Sequence, residues 1–163
     1  RGANAARLLA GLAAFSFFSF GLVDPFMIEG PVTDLWIFRG QMFVLNVFIF
    51  AMTFTQWGRK HFVTLGSFIG INTGMGVVVL TAMTGGPSSA YWTMLMLTFF
   101  GVTLILPQRP WHAFLSYTFL ILFYVFWMKR NVTDIDPGDW TVSIAGLLLA
   151  NIVSVAGATF LNG

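Results

Sequence analysis

Few side chains in this sequence could do chemistry, and those that stand out interrupt long apolar stretches. Arg39, Gln41, Asn46, Asn72, Ser116, Tyr117, Tyr124 and Asn151 are the polar groups that stand out inside those stretches. Arg39 is the most pointed of them. A guanidinium one turn or so inside an apolar helix is costly unless it snorkels or finds a partner. Two roles fit it: an ion pair with Glu29 or Asp34, or an anchor for an anionic or carbonyl-bearing ligand in a pocket open to the nearer surface. Asn46 and Asn72, near the middle of two successive stretches, can bond helix to helix or meet a ligand. Tyr91 and Tyr124 add phenols. An apolar wall with a few such groups is what small-molecule pockets use, so Arg39, Asn46, Asn72, Tyr91 and Tyr124 are the ligand-pocket candidates.

Catalysis and metal binding have little to work with. The sequence holds no cysteine, which removes disulfides, thiolate metal sites and thiol nucleophiles together. It shows no paired carboxylates inside an apolar stretch, no zinc signature, no nucleophile with its base and no phosphate loop. The two histidines, His61 and His112, open the third and fifth stretches at similar depth. A wetted interfacial role accounts for both, and the alternative is bis-histidine ligation of a b-type haem. Otherwise no cofactor is expected. Intramembrane carboxylates and broken helices, the usual marks of pumps and carriers, are not visible.

The elements that position these groups are six apolar stretches, at about 4–23, 34–57, 61–84, 90–106, 111–128 and 140–161. A helix rises 1.5 Å per residue, so about 20 residues cross a hydrocarbon core of about 30 Å. With 57% hydrophobic and 9% charged residues, the chain is expected to be one all-α membrane domain, a six-helix transmembrane bundle. The first stretch is expected to end at Asp24-Pro25, with Gly30-Pro31 continuing the turn. Thr33 or Asp34 can cap the second stretch, and Gly58-Arg59-Lys60 forms a tight turn after it. Gly66, Gly70 and Gly74 fall at i, i+4 and i+8 of the third, a small-residue stripe along which another helix packs closely. All six tryptophans lie near predicted helix ends, as an interfacial belt does.

Charge then sets orientation. Asp24, Glu29, Asp34, Asp134, Asp136 and Asp139 all fall on one side, while Arg1, Arg7, Arg59, Lys60 and Arg109 fall on the other. Lysine and arginine mark the cytoplasmic face, so both termini are expected inside. Lys129 and Arg130 break the rule, beside three aspartates that neutralise them. The net charge of +2 reflects this cytoplasmic flank and implies no nucleic-acid partner. The first stretch is span-length, lacks a small-residue cleavage site and precedes five more, so it is not read as a signal peptide. Opening on Arg1, the chain is expected to belong to a longer polypeptide.

One segment carries a resemblance. Thr84-Gly-Gly-Pro-Ser-Ser-Ala-Tyr91-Trp92 leads into a stretch ending in Leu106-Pro107, then Arg109-Pro110, a stretch with Tyr124, and Ala150-Asn151 in the last. This pattern resembles the six-helix membrane input module ahead of bacterial class III adenylate cyclases, diguanylate cyclases and sensor histidine kinases. The resemblance covers about 60–160. It implies a multi-pass sensory domain of the bacterial inner membrane, acting as a homodimer. Such a domain binds a small apolar or amphiphilic signal and controls a cytoplasmic cyclase or kinase that follows Gly163. The alternative class is a non-catalytic subunit or anchor of a larger membrane complex.

Overall fold

The computed structural model describes residues 2–27, 32–106 and 108–162. Seven α-helices and no strand are found among them: α1 (Gly2–Met27), α2 (Thr33–Met52), the short α3 (Gln56–Lys60), α4 (Phe62–Met83), α5 (Tyr91–Ile105), α6 (Pro110–Asn131) and α7 (Pro137–Asn162). A 3-10 turn, Gly86–Ser88, precedes α5. Five of the helices, α1, α2, α4, α6 and α7, are long and apolar enough to cross a membrane; α5 is apolar but has 15 residues.

Several boundaries differ from the sequence reading, each for a local reason. α1 does not stop at Asp24-Pro25 but runs through both to Met27. Proline removes one backbone donor and so strips Gly21 O of its partner four residues on. The indole Nε1 of Trp36 donates to that carbonyl at 2.9 Å, which lets the helix continue. α2 stops at Met52 rather than near 57, because hydroxyls take over the last carbonyls. Thr53 Oγ1 donates to Phe50 O and Thr55 Oγ1 to Met52 O. Thr55 then caps α3 by accepting from Gly58 N at 3.0 Å, so Gly58-Arg59-Lys60 is a helical turn and not a tight loop. Val32, not Thr33 or Asp34, stands at the N-cap of α2, with no side-chain cap. α6 continues past 128 to Asn131, its last turn carrying Lys129 and Arg130, where cations suit the helix dipole. α7 starts earlier, at Pro137, with Asp136 Oδ2 accepting from Gly138 N and Asp139 N. Glu29, the Gly30-Pro31 pair and Pro107 lie outside the described residues.

The chain divides into two compact units, Arg1–Ile69 and Gly70–Gly163. In the first, α1 packs antiparallel on α2, and α3 packs on α1. The buried face of α1 carries Ala6, Ala10, Ala13, Phe17 and Asp24, and that of α2 carries Leu35, Arg39, Met42, Asn46 and Ile49. On α2 these alternate at steps of four and three residues, the seam spacing of two supercoiling helices.

In the second unit α7 packs on both α5 and α6. The buried faces again follow the three-four rhythm: Ala113, Tyr117, Leu120, Tyr124 and Met128 on α6, and Ser143, Leu147, Ala150, Ser154 and Ala158 on α7. Glycines set the closest approaches. A Cβ on Gly70 would stand 3.0 Å from Val102, one on Gly74 2.6 Å from Leu120, and one on Gly146 2.9 Å from Trp92. Outward faces of both units carry large apolar side chains, among them Phe15, Phe18, Phe48, Leu122, Phe126 and Ile152, as lipid contact requires.

Candidate functional site

The first unit places one full charge of each sign inside its helix pair. Asp24 is drawn into α1 because the helix passes Pro25, and one turn earlier Gly21 leaves space on the facing side. A Cβ at Gly21 would stand 3.3 Å from Cδ of Arg39, so the absent side chain is where the arginine stem lies. Arg39 Nε donates to Asp24 Oδ2 at 2.6 Å and Nη2 to Oδ1 at 2.8 Å. Both side chains are buried, Asp24 with no exposed area and Arg39 with 5%. The pair is bidentate, the strongest geometry available to a guanidinium and a carboxylate. Among the described residues the carboxylate partner of Arg39 is Asp24, while Asp34 is exposed and Glu29 lies outside the described residues. Asp24 itself is an interior helical residue and not part of an outer turn.

Arg39 also does not line the shallow apolar depression of about 590 Å³ that runs along Gly40, Gln41, Val44, Leu45 and Phe48, all exposed positions of α2. Arg39, Met42, Asn46 and Ile49 form the buried face. Two turns along α2 from Arg39, Asn46 Nδ2 donates to Met42 O at 2.8 Å, and its buried Oδ1 has no hydrogen-bond partner. A charge pair and an unsatisfied amide oxygen therefore follow each other along one seam. Both are costly in an apolar surrounding and both are able to bind a polar head.

Compared with known proteins, the chain matches no family model, no curated protein and no solved structure.

Of the remaining candidates, Asn72, Tyr91, Tyr124, Gly70, Gly74 and His112 belong to the second unit, and Gly66 and His61 to the first. Asn72, on α4, is half-buried with Nδ2 unsatisfied. Tyr91 opens α5, its backbone N–H donating to Ser89 Oγ at 3.2 Å. Tyr124 is fully buried on α6, its ring stacked on Trp140 at 6.0 Å and its hydroxyl beside Ser143 without a hydrogen bond of good geometry. Gly66, Gly70 and Gly74 are all buried. His61 belongs to the first unit, its Nδ1 3.1 Å from Trp57 O and its ring stacked on Trp57. His112, in the second, lies against Trp111 at 3.8 Å between ring centroids. Among the described residues no group of three or more histidine or acidic side chains could hold a metal ion.

Two features escaped the sequence reading. One is a neutral knot centred on Tyr117, whose hydroxyl lies 3.0 Å from Phe99 O, 2.6 Å from Thr103 Oγ1 and 2.9 Å from Gln108 Nε2. Donating to Phe99 O and accepting from the other two satisfies the phenol completely. The other is the tie between the turn before α5 and the first turn of α7, where Ser88 Oγ donates to Asp139 Oδ2 at 2.6 Å. The Gly-Gly-Pro-Ser-Ser segment that carries the resemblance has a mechanical reading here. Gly85 and Gly86 hold φ of 108° and 68°, which other residues rarely adopt, and Ser89 receives the first N–H of α5.

Proposed function

We propose that this chain is a membrane-embedded sensory input domain that controls a cytoplasmic nucleotide cyclase or histidine kinase. Its six spans, with α5 as the short one and both termini cytoplasmic, would place the acidic turns outside and Arg59, Lys60 and Arg109 inside. A 15-residue helix reaches about 22 Å, and a shortfall of that size is met by local thinning and snorkelling flanks.

The observation that carries the reading is the buried Asp24–Arg39 pair. Ionisable groups inside spans are rare, and they mark sites more often than scaffolding. The pair is also suited to switching. Desolvation and attraction nearly cancel in a buried ion pair, so its net worth is small while the loss of one partner is expensive. An amphiphile whose carboxylate or carbonyl competes for Arg39 would open the pair only if its own contacts and the water it admits offset the bared Asp24 carboxylate, and in doing so it would shift α2 against α1. The ligand would thereby stabilise one of two helix arrangements. The resemblance of the Thr84–Trp92 segment to the membrane input modules of bacterial cyclases and kinases supports the same reading.

The test is a cyclase or autophosphorylation assay on the full-length product in proteoliposomes, with a panel of medium-chain fatty acids, their esters and alcohols. The expected result is nucleotide output or autophosphorylation that changes several-fold with one of these classes. No such activity, together with a fixed stoichiometric membrane partner in native mass spectra, would replace this reading with that of a structural subunit.

A further inference from the structure

The end of the first unit opposite the ion pair gathers cations with no described carboxylate to meet them. Arg7 of α1 lies over the ring of Phe54 at 4.4 Å from its centroid. It donates to two neutral acceptors, Asn4 Oδ1 at 3.0 Å and, at 3.5 Å, Thr53 O. Its Nε is buried and unsatisfied, so fewer than half of its five N–H donors are used. α3 packs on α1 and brings Arg59 and Lys60, both exposed, to the same end. No described carboxylate pairs with any of the three. Asp24 stands 17 residues along α1 from Arg7, a rise of about 26 Å, and Asp34 lies at the matching end of α2. Around the cations stand exposed Phe54 and Trp57, aromatic rings of the kind that settle between headgroups and acyl chains.

We propose that this corner is a binding site for the phosphate of an anionic phospholipid, held by Arg7, Arg59 and Lys60, with the acyl chains against Phe54 and Trp57. The charge complementarity names the headgroup, and the aromatic collar names a lipid over a soluble phosphate. Arg7 supplies planar forked donors at the acyl boundary, and Arg59 and Lys60 supply charge in the aqueous layer. The site needs only that the chain lies in a membrane, and it stands apart from the sensory reading.

The experiment is native mass spectrometry of the full-length protein released from phosphatidylcholine nanodiscs doped with phosphatidylglycerol. Wild type is expected to retain phosphatidylglycerol above its share of the bilayer. Each cation removed should lower that retention about fivefold. Arg7→Gln tests the partly buried donor, and the exposed double variant Arg59→Gln/Lys60→Gln tests the charge without disturbing packing. Arg109→Gln, a cation of the second unit, should leave retention unchanged. Equal retention of the two lipids by wild type would overturn the proposal. So would undiminished retention in the double variant, or an equal loss in Arg109→Gln.

Discussion

Asp24 and Arg39 put full charges between α1 and α2, whereas Tyr117, Thr103 and Gln108 put only neutral groups between α5 and α6. Both clusters are buried and both tie two helices together. They differ in what happens when one member is disturbed. A neutral knot that loses one bond keeps its other bonds and loses a modest amount of energy. A charge pair that loses one member leaves a bare ion in an apolar surrounding, a penalty several times larger. The second unit is therefore built to hold still, with glycines drawing backbones together and hydroxyls locking a helix end. The first is built around a charge pair whose two members depend on each other.

That contrast can be broken most sharply at Asp24. Asp24→Ala should destabilise the first unit by about 3–5 kcal/mol, because the Arg39 charge stays buried without its partner. Replacing both, Asp24→Leu with Arg39→Met, should restore stability to near wild type or above it. Thermal melting in detergent, followed by a fluorescence probe placed on α2, reads both.

In the second unit the largest effect is expected from bulk, not charge. Gly70→Leu forces a side chain into the space held by Val102 and should cost about 1–3 kcal/mol. Tyr117→Phe removes the hub of the knot but strands only neutral donors, so about 1–2 kcal/mol is expected from the same melts. A Tyr117→Phe loss as large as that of Asp24→Ala would erase the distinction between the units. The smallest change belongs to Trp36→Phe, which leaves Gly21 O without its indole donor and should cost about 0.5–1.5 kcal/mol. Hydrogen exchange around Pro25 would localise that loss.

The apolar stretches were plain in the sequence because hydropathy over about 20 residues is a summed signal that single residues barely perturb. Asn46 and Arg39 stood out because polar groups are rare there. The partner of Arg39 did not, since Asp24 beside Pro25 reads locally as a helix end. The indole of Trp36, eleven residues beyond the proline, makes it tolerable by donating to Gly21 O, and that contact is tertiary. The Thr53 and Thr55 break was hidden for a related reason, as hydroxyls end a helix only where their own rotamers reach its carbonyls. Gln108 was passed over as a turn residue, although its amide is buried against Tyr117. The glycine stripe on α4 was legible from spacing, whereas Gly146 faces Trp92 without any repeat to announce it.

The central claim is that the first unit's ion pair is the element a signal acts on. The direct measurement is ligand-dependent output of the full-length protein carrying Asp24→Leu and Arg39→Met, in the same proteoliposomes and with the same amphiphile panel as wild type. The account predicts a folded, inserted protein whose cyclase or kinase output is constant across the panel. A double variant that responds to the same ligand class with the amplitude of wild type would contradict it.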